Sequence, residues 1–202
     1  MKKIFFFIFI FLIFFVNSKA QSSEISLLKK VQDKYSSIDS FSADFKQYSG
    51  DKKISGKFFY KKGNNIRIET KTSIIVSNGT TNWNYNKKQN KVIISSYDDS
   101  NASMFSFNKI IYDFPSESDV EQTIENGDDI VIITPKAGSD LNFNKVKLWI
   151  SNNNLVKKIG IKGNDNSLLT IELSNYKINQ NLADSQFSFT PPEGSKVIDL
   201  RQ

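Results

Sequence analysis

Two pairs of adjacent carboxylates, Asp98-Asp99 and Asp128-Asp129, are the side chains of this sequence best placed for acid–base work. Two carboxyl groups side by side can divide the acid and base roles, as glycoside hydrolysis requires. Both pairs fall in turns, where acids are ordinarily just solvated. The 202 residues include no His. That removes the commonest general base, the commonest metal ligand and each triad that depends on imidazole. No nucleophile motif, phosphate loop or metal-ligand spacing appears, so no enzyme activity, cofactor or metal is expected. What the chain offers instead is apolar surface, with 17 Phe, 7 Tyr and 2 Trp.

The elements that carry this surface are mostly short strands. Ser23 or Ser26 can cap an opening helix, with Ile25, Leu28, Val31 and Tyr35 on one side. From Phe41 the period becomes two: Phe41, Ala43, Phe45 and Gln47 alternate with Ser42, Asp44, Lys46 and Tyr48. Ile54, Gly56, Phe58 and Tyr60 share one face of the next strand, and Ile66 and Ile68 one face of the strand after it. Asn78-Gly79 suits a tight hairpin, and Trp83 and Tyr85 fall on one face of the strand it leads into. The alternation breaks near residues 100–112. There Met104, Phe107 and Ile111, with Phe105 and Ile110 beside them, predict a short helix rich in large apolar groups. Strands then resume to the end, Leu148 on one of them and Val197-Ile198-Asp199 the last.

Strands about ten residues apart with turns between them predict a mainly β fold with short helices (α+β). The expected architecture is a single curved antiparallel sheet of about 10–11 strands, an incomplete barrel closed by helices on its open side. Two short helices fill a barrel poorly, which leaves room for a greasy ligand. The plain alternative is that the aromatics pack a solid core.

Residues 1–20 read as a signal peptide. Lys2 and Lys3 precede an apolar run at residues 4–16, and Ser18-Lys19-Ala20 supplies small residues for cleavage after Ala20. That run falls short of the roughly 20 residues that span a bilayer. Residues 21–202 then form one domain, exported to the periplasm without a disulfide framework, because the chain has no Cys. Without Lys2, Lys3 and Lys19 the basic side chains fall from 27 to 24, against 21 acidic ones. The lysines are spread along the chain, so no basic face is expected and no nucleic-acid partner.

Over nearly the whole mature length the sequence resembles the LolA family of periplasmic lipoprotein carriers. The matching pieces begin with Phe41, Phe45 and Gln47, then Gly56, Phe58, Phe59, Tyr60, Lys61 and Lys62. Arg67, Glu69, Ser77-Asn78-Gly79, Trp83-Asn84-Tyr85 and Pro135-Lys136 follow. The closing pieces are Phe187-Ser188-Phe189-Thr190-Pro191-Pro192-Glu193-Gly194 and Val197-Ile198-Asp199. The resemblance implies a monomer that holds the acyl chains of lipoproteins. It would take them from an inner-membrane lipoprotein-releasing ABC transporter and pass them to an outer-membrane acceptor, where one exists. Strand parity then gives Phe45, Phe58, Tyr60, Ile66, Ile68, Trp83, Tyr85 and Leu148 as the expected cavity lining. Met104, Phe105, Phe107, Ile110 and Ile111 would form a lid over it. The family's Arg-Pro after the aromatic strand, whose Arg latches the lid, is replaced by Lys62-Gly63, so the resemblance implies either a weaker closed form or a latch at Lys62, Lys61 or Arg67. A lipid-binding sensor of the same fold, without transport, is the second reading.

Overall fold

The computed structural model describes residues 26–97 and 108–201. Helix α1 (Leu27–Ser36) is followed by β1 (Ser40–Ser49), β2 (Lys52–Lys61), β3 (Asn65–Thr70), β4 (Ser73–Asn78), β5 (Thr81–Asn86) and β6 (Lys91–Ser96). A π-helical turn (Lys109–Asp113) runs into the short helix α2 (Phe114–Ser116). Then come β7 (Ser118–Glu125), β8 (Asp128–Pro135), β9 (Lys145–Ile150), β10 (Val156–Lys162), β11 (Leu168–Ile178), a 3₁₀ turn (Asp184–Phe187) and β12 (Lys196–Asp199).

All twelve strands form one open, curved sheet in the order β12-β6-β5-β4-β3-β2-β1-β11-β10-β9-β8-β7. Neighbours are antiparallel except β12, which runs parallel to β6 with Val197 opposite Val92 and Ile198 opposite Ile93. The sheet thus has one strand more than the sequence suggests, and its last strand reaches back to the first half of the chain. Asn and Gly supply the turns: Asn64, Asn90, Asn126, Asn154 and Asn166 all adopt positive φ, which Asn tolerates better than most residues.

One face of the sheet, the inner face, is covered by α1 and residues 108–116. Ser26 caps α1 by accepting from the Lys29 N–H, and the helix turns Val31 and Tyr35 onto the sheet. Ser23 and Ile25 lie outside the described residues. The core beneath is contiguous, running from Phe41, Phe45, Phe58 and Ile68 across to Leu148, Ile159 and Ile171. The strand alternation of Phe41, Ala43 and Phe45 agrees with the sequence, since all three are buried.

At β4 the apolar side changes over. Ile68 of β3 opposes Ile75, while Arg67 opposes Val76. Val76 in turn faces Trp83, and Trp83 faces Ile94, all on the outer side. The inner side of β5 carries Asn82, Asn84 and Asn86. The C-terminal segment covers the outer apolar patch. Phe187 is only 1 % exposed and the Phe189 ring lies 5.5 Å from that of Tyr85.

Candidate functional site

The inner face is organised around Phe41. Its ring centroid lies 5.2 Å from Tyr60, 5.4 Å from Tyr176, 5.6 Å from Phe58 and 6.1 Å from Tyr35. Tyr35, on α1, reaches the start of β10, where a register shift between Val156 and Lys158 interrupts the ladder. The Val156 N–H donates to the Tyr35 hydroxyl oxygen at 3.2 Å, and the Tyr176 hydroxyl donates to the Val156 carbonyl at 2.8 Å. The two hydroxyls are 3.2 Å apart. A pair of buried phenols therefore satisfies the backbone groups that the bulge would otherwise orphan. Burial pushes the Tyr35 hydroxyl up to about 12, although the Tyr176 hydrogen bond works against that rise. Burial, then the neighbouring Tyr35, raises Tyr176 well above the usual phenol range.

Residues 108–116 close this face. Ile110 and Ile111 are buried in the core, and the Phe114 ring sits 4.9 Å from Phe143. Pro115 explains the irregular helix: it has no N–H for the Ile111 carbonyl four residues back. The Gln32 side-chain amide of α1 takes that carbonyl at 3.0 Å. The Tyr112 hydroxyl returns the contact, donating to the Gln32 carbonyl at 2.9 Å. At the other end Asn108 donates to the Asn64 side chain at 3.0 Å and accepts from the Tyr60 hydroxyl at 3.3 Å.

Of the expected lining, Phe45, Phe58, Tyr60, Ile68 and Leu148 are buried together on the inner face, with Ile66 packed against them. Trp83 and Tyr85 are not with them. The pairing of Val76 with Trp83 and Ile74 with Tyr85 turns both to the outer side, under the C-terminal segment. Alternation within a strand fixes which residues share a face, but only the cross-strand register fixes which face it is. Met104, Phe105 and Phe107 lie outside the described residues.

The expected latch residues also make other contacts. Lys62 donates to the Ser36 carbonyl at 2.9 Å and pairs with Asp39 at 2.8 Å, so it caps the C-terminus of α1. Lys61 binds the Leu182 carbonyl at 3.0 Å and Asp184 at 2.5 Å. Arg67 pairs with Glu69 at 2.6 Å and donates to the Gln186 carbonyl at 3.2 Å, both on the outer side. Gln32 and Ser36 of α1, with Tyr60 and Asn64 on the sheet side, help tie the 108–116 segment down through the Ile111 carbonyl, Tyr112 and Asn108. Gln32 carries no signal in the sequence, although Pro115 announces that some carbonyl upstream of it needs a foreign donor.

Two cavities lined by described residues open on the outer side. One, of about 460 Å³, includes Ser42, Asp44, Lys57 and Phe59, and another, of about 350 Å³, includes Trp149, Lys158 and Glu172. No group of three or more His, Cys, Asp or Glu side chains among the described residues could hold a metal ion. Among those residues no helix is long and apolar enough to cross a membrane.

A sequence profile described as "Outer membrane lipoprotein carrier protein LolA" matches residues 36–190. An outer-membrane lipoprotein carrier protein of Pectobacterium carotovorum is 27 % identical over 183 residues, covering 86 % of this chain and 88 % of that protein. An uncharacterized protein of Methanocaldococcus jannaschii is 25 % identical over 198 residues, 92 % of this chain; the chain spans 57 % of that relative's length. In fold, the crystal structure of an uncharacterized conserved protein from Thermus thermophilus is similar. Its TM-score is 0.57 at 13 % identity, covering 86 % of this chain and 96 % of that one.

Proposed function

The chain belongs to the LolA family, and from that premise we propose that it is a non-enzymatic periplasmic carrier for the acyl chains of lipoproteins. Cargo enters when the segment containing residues 108–116 leaves the inner aromatic face and acyl chains take its place. A donor in the inner membrane loads it and an acceptor at the outer membrane unloads it.

The observation that carries this reading is the nature of the cover over the inner face. Ile110 and Ile111 bury fully in the core, while polar ties such as Gln32 to the Ile111 carbonyl, Tyr112 to the Gln32 carbonyl and the Ser36–Tyr112 hydroxyl contact hold that segment to α1. Acyl burial contributes about 0.8 kcal/mol per CH₂, so an unshielded multiply acylated anchor cannot cross water. A cover that must first be displaced subtracts from that gain and keeps the load releasable.

Native mass spectrometry of the protein recovered without detergent after periplasmic expression tests the reading. Acylated protein should co-purify with the wild type. Gln32→Ala, which frees one tie worth about 1 kcal/mol, should raise the loaded fraction several-fold. Cargo-free protein that also fails to extract a lipoprotein from membranes would sink the transport reading and favour the sensor.

A further inference from the structure

We infer that the outer face of β1, β2, β9, β10 and β11 is a docking surface for a bilayer containing anionic phospholipid. The lysines scattered along the sequence are gathered there by register. Lys53 opposes Tyr48 across β1 and β2. Lys46 and Lys158 flank Glu172, and Lys158 opposes Trp149. Lys162 opposes Lys145 directly. Two ammonium groups facing one another across a ladder cost stability, an arrangement that an anion lying over them reverses. The sequence expectation of no basic face fails because alternation separates side chains that are adjacent in sequence and joins those on neighbouring strands.

Four carboxylates on or beside this face already have partners. The Tyr48 hydroxyl donates to Glu172, Asn175 donates to Asp44, Glu125 pairs with Lys147, and Asp128 pairs with Lys157. Lys46, Lys53, Lys145 and Lys162 are exposed and have no ion pair among the described residues.

Apolar groups set among the lysines point to lipid rather than nucleic acid. Leu168 opposes Lys162 and is 61 % exposed, an aliphatic side chain offered to solvent inside a basic patch. Trp149 lies against Gly160, whose bare backbone admits the ring. The Lys158 and Lys147 ammonium groups stand 4.5 and 5.4 Å from its centroid. Flexible lysines around a Trp and an exposed Leu match the headgroup region, where cations meet phosphate and apolar groups enter the acyl boundary. This surface lies opposite the inner face and is separate from the proposed cargo site.

The test is co-sedimentation with vesicles free of lipoprotein, made of phosphatidylcholine alone or of phosphatidylcholine and phosphatidylglycerol in equal parts. The exported protein should bind only the mixed vesicles and leave them as salt rises. Each lysine near the surface contributes about fivefold in affinity. The triple variant Lys53→Glu, Lys145→Glu, Lys162→Glu should therefore lose more than about a hundredfold while keeping the wild-type circular dichroism. Leu168→Ser should weaken vesicle binding without changing binding to a single-stranded oligonucleotide. Equal binding to both vesicle types, or a triple variant that binds like wild type, would overturn the inference. So would tighter binding to the oligonucleotide than to the mixed vesicles. Extraction of acylated cargo by the triple variant is expected to persist, so failure here leaves the carrier proposal standing.

Discussion

Gly56 and Gly160 occupy similar strand positions, yet substitution at the two should differ several-fold in cost. A Cβ at Gly56 would sit 1.9 Å from the Glu69 carbonyl oxygen, which is backbone and paired in the ladder. At Gly160 the nearest atoms belong to the Trp149 ring, at 3.2 Å, and that ring can tilt away. Gly56→Ala should lose more than about 3 kcal/mol and Gly160→Ala about 1 kcal/mol, measured as shifts in urea midpoint. The tyrosine pair gives a prediction in pH. Because the folded pKa of Tyr35 is raised from 10.0 to about 12, the stability from its neutral form is intact below pH 10. It drains away as pH climbs through that window, at about 1.4 kcal/mol per unit. Urea melts at about pH 8 and about pH 11 should show this loss in the wild type and a smaller one in Tyr35→Phe. That variant starts about 1–3 kcal/mol lower, because the Val156 N–H is left without its acceptor.

At the scale of the element, the C-terminal segment acts as an exterior core. Phe187 is buried where its 3₁₀ turn packs on β3 and β4, and Phe187→Ala should cost about 3–5 kcal/mol, read by thermal unfolding. The same region shows how far the sequence can be read. The pairing of Trp83 with Tyr85 on one strand face is plain from their spacing, as are the strands themselves and the incomplete barrel. What spacing lacks is the sign of a face. Ile74 and Val76 turn outward only because Ile75, between them, opposes Ile68 across a turn whose length sets the register. The aromatic-Pro-Pro ending supplies the missing partner for the outer patch, but nothing in its order tells which strands it covers. Likewise the Lys62 side chain is legible as a charge near the aromatic strand, while its actual acceptor, the Ser36 carbonyl, exists only once α1 has docked.

Considered whole, the molecule presents three surfaces: an inner face under a helical cover, an outer apolar patch under the C-terminal segment, and an outer face carrying lysines. They coexist because one continuous sheet switches its apolar side between β3 and β4. That lets β4–β6 bury one face and the rest of the sheet the other.

The parallel union of β12 with β6 also fixes an order of events. The edge of β6, complete by residue 96, gains its partner only when residue 199 is available. A chain threaded N-terminus first across a membrane would leave one edge of β6 unpaired for roughly a hundred residues, the interval in which the hazard of edge-to-edge aggregation is greatest. For a chain exported in that way, a chaperone that masks this edge should raise the yield of folded protein.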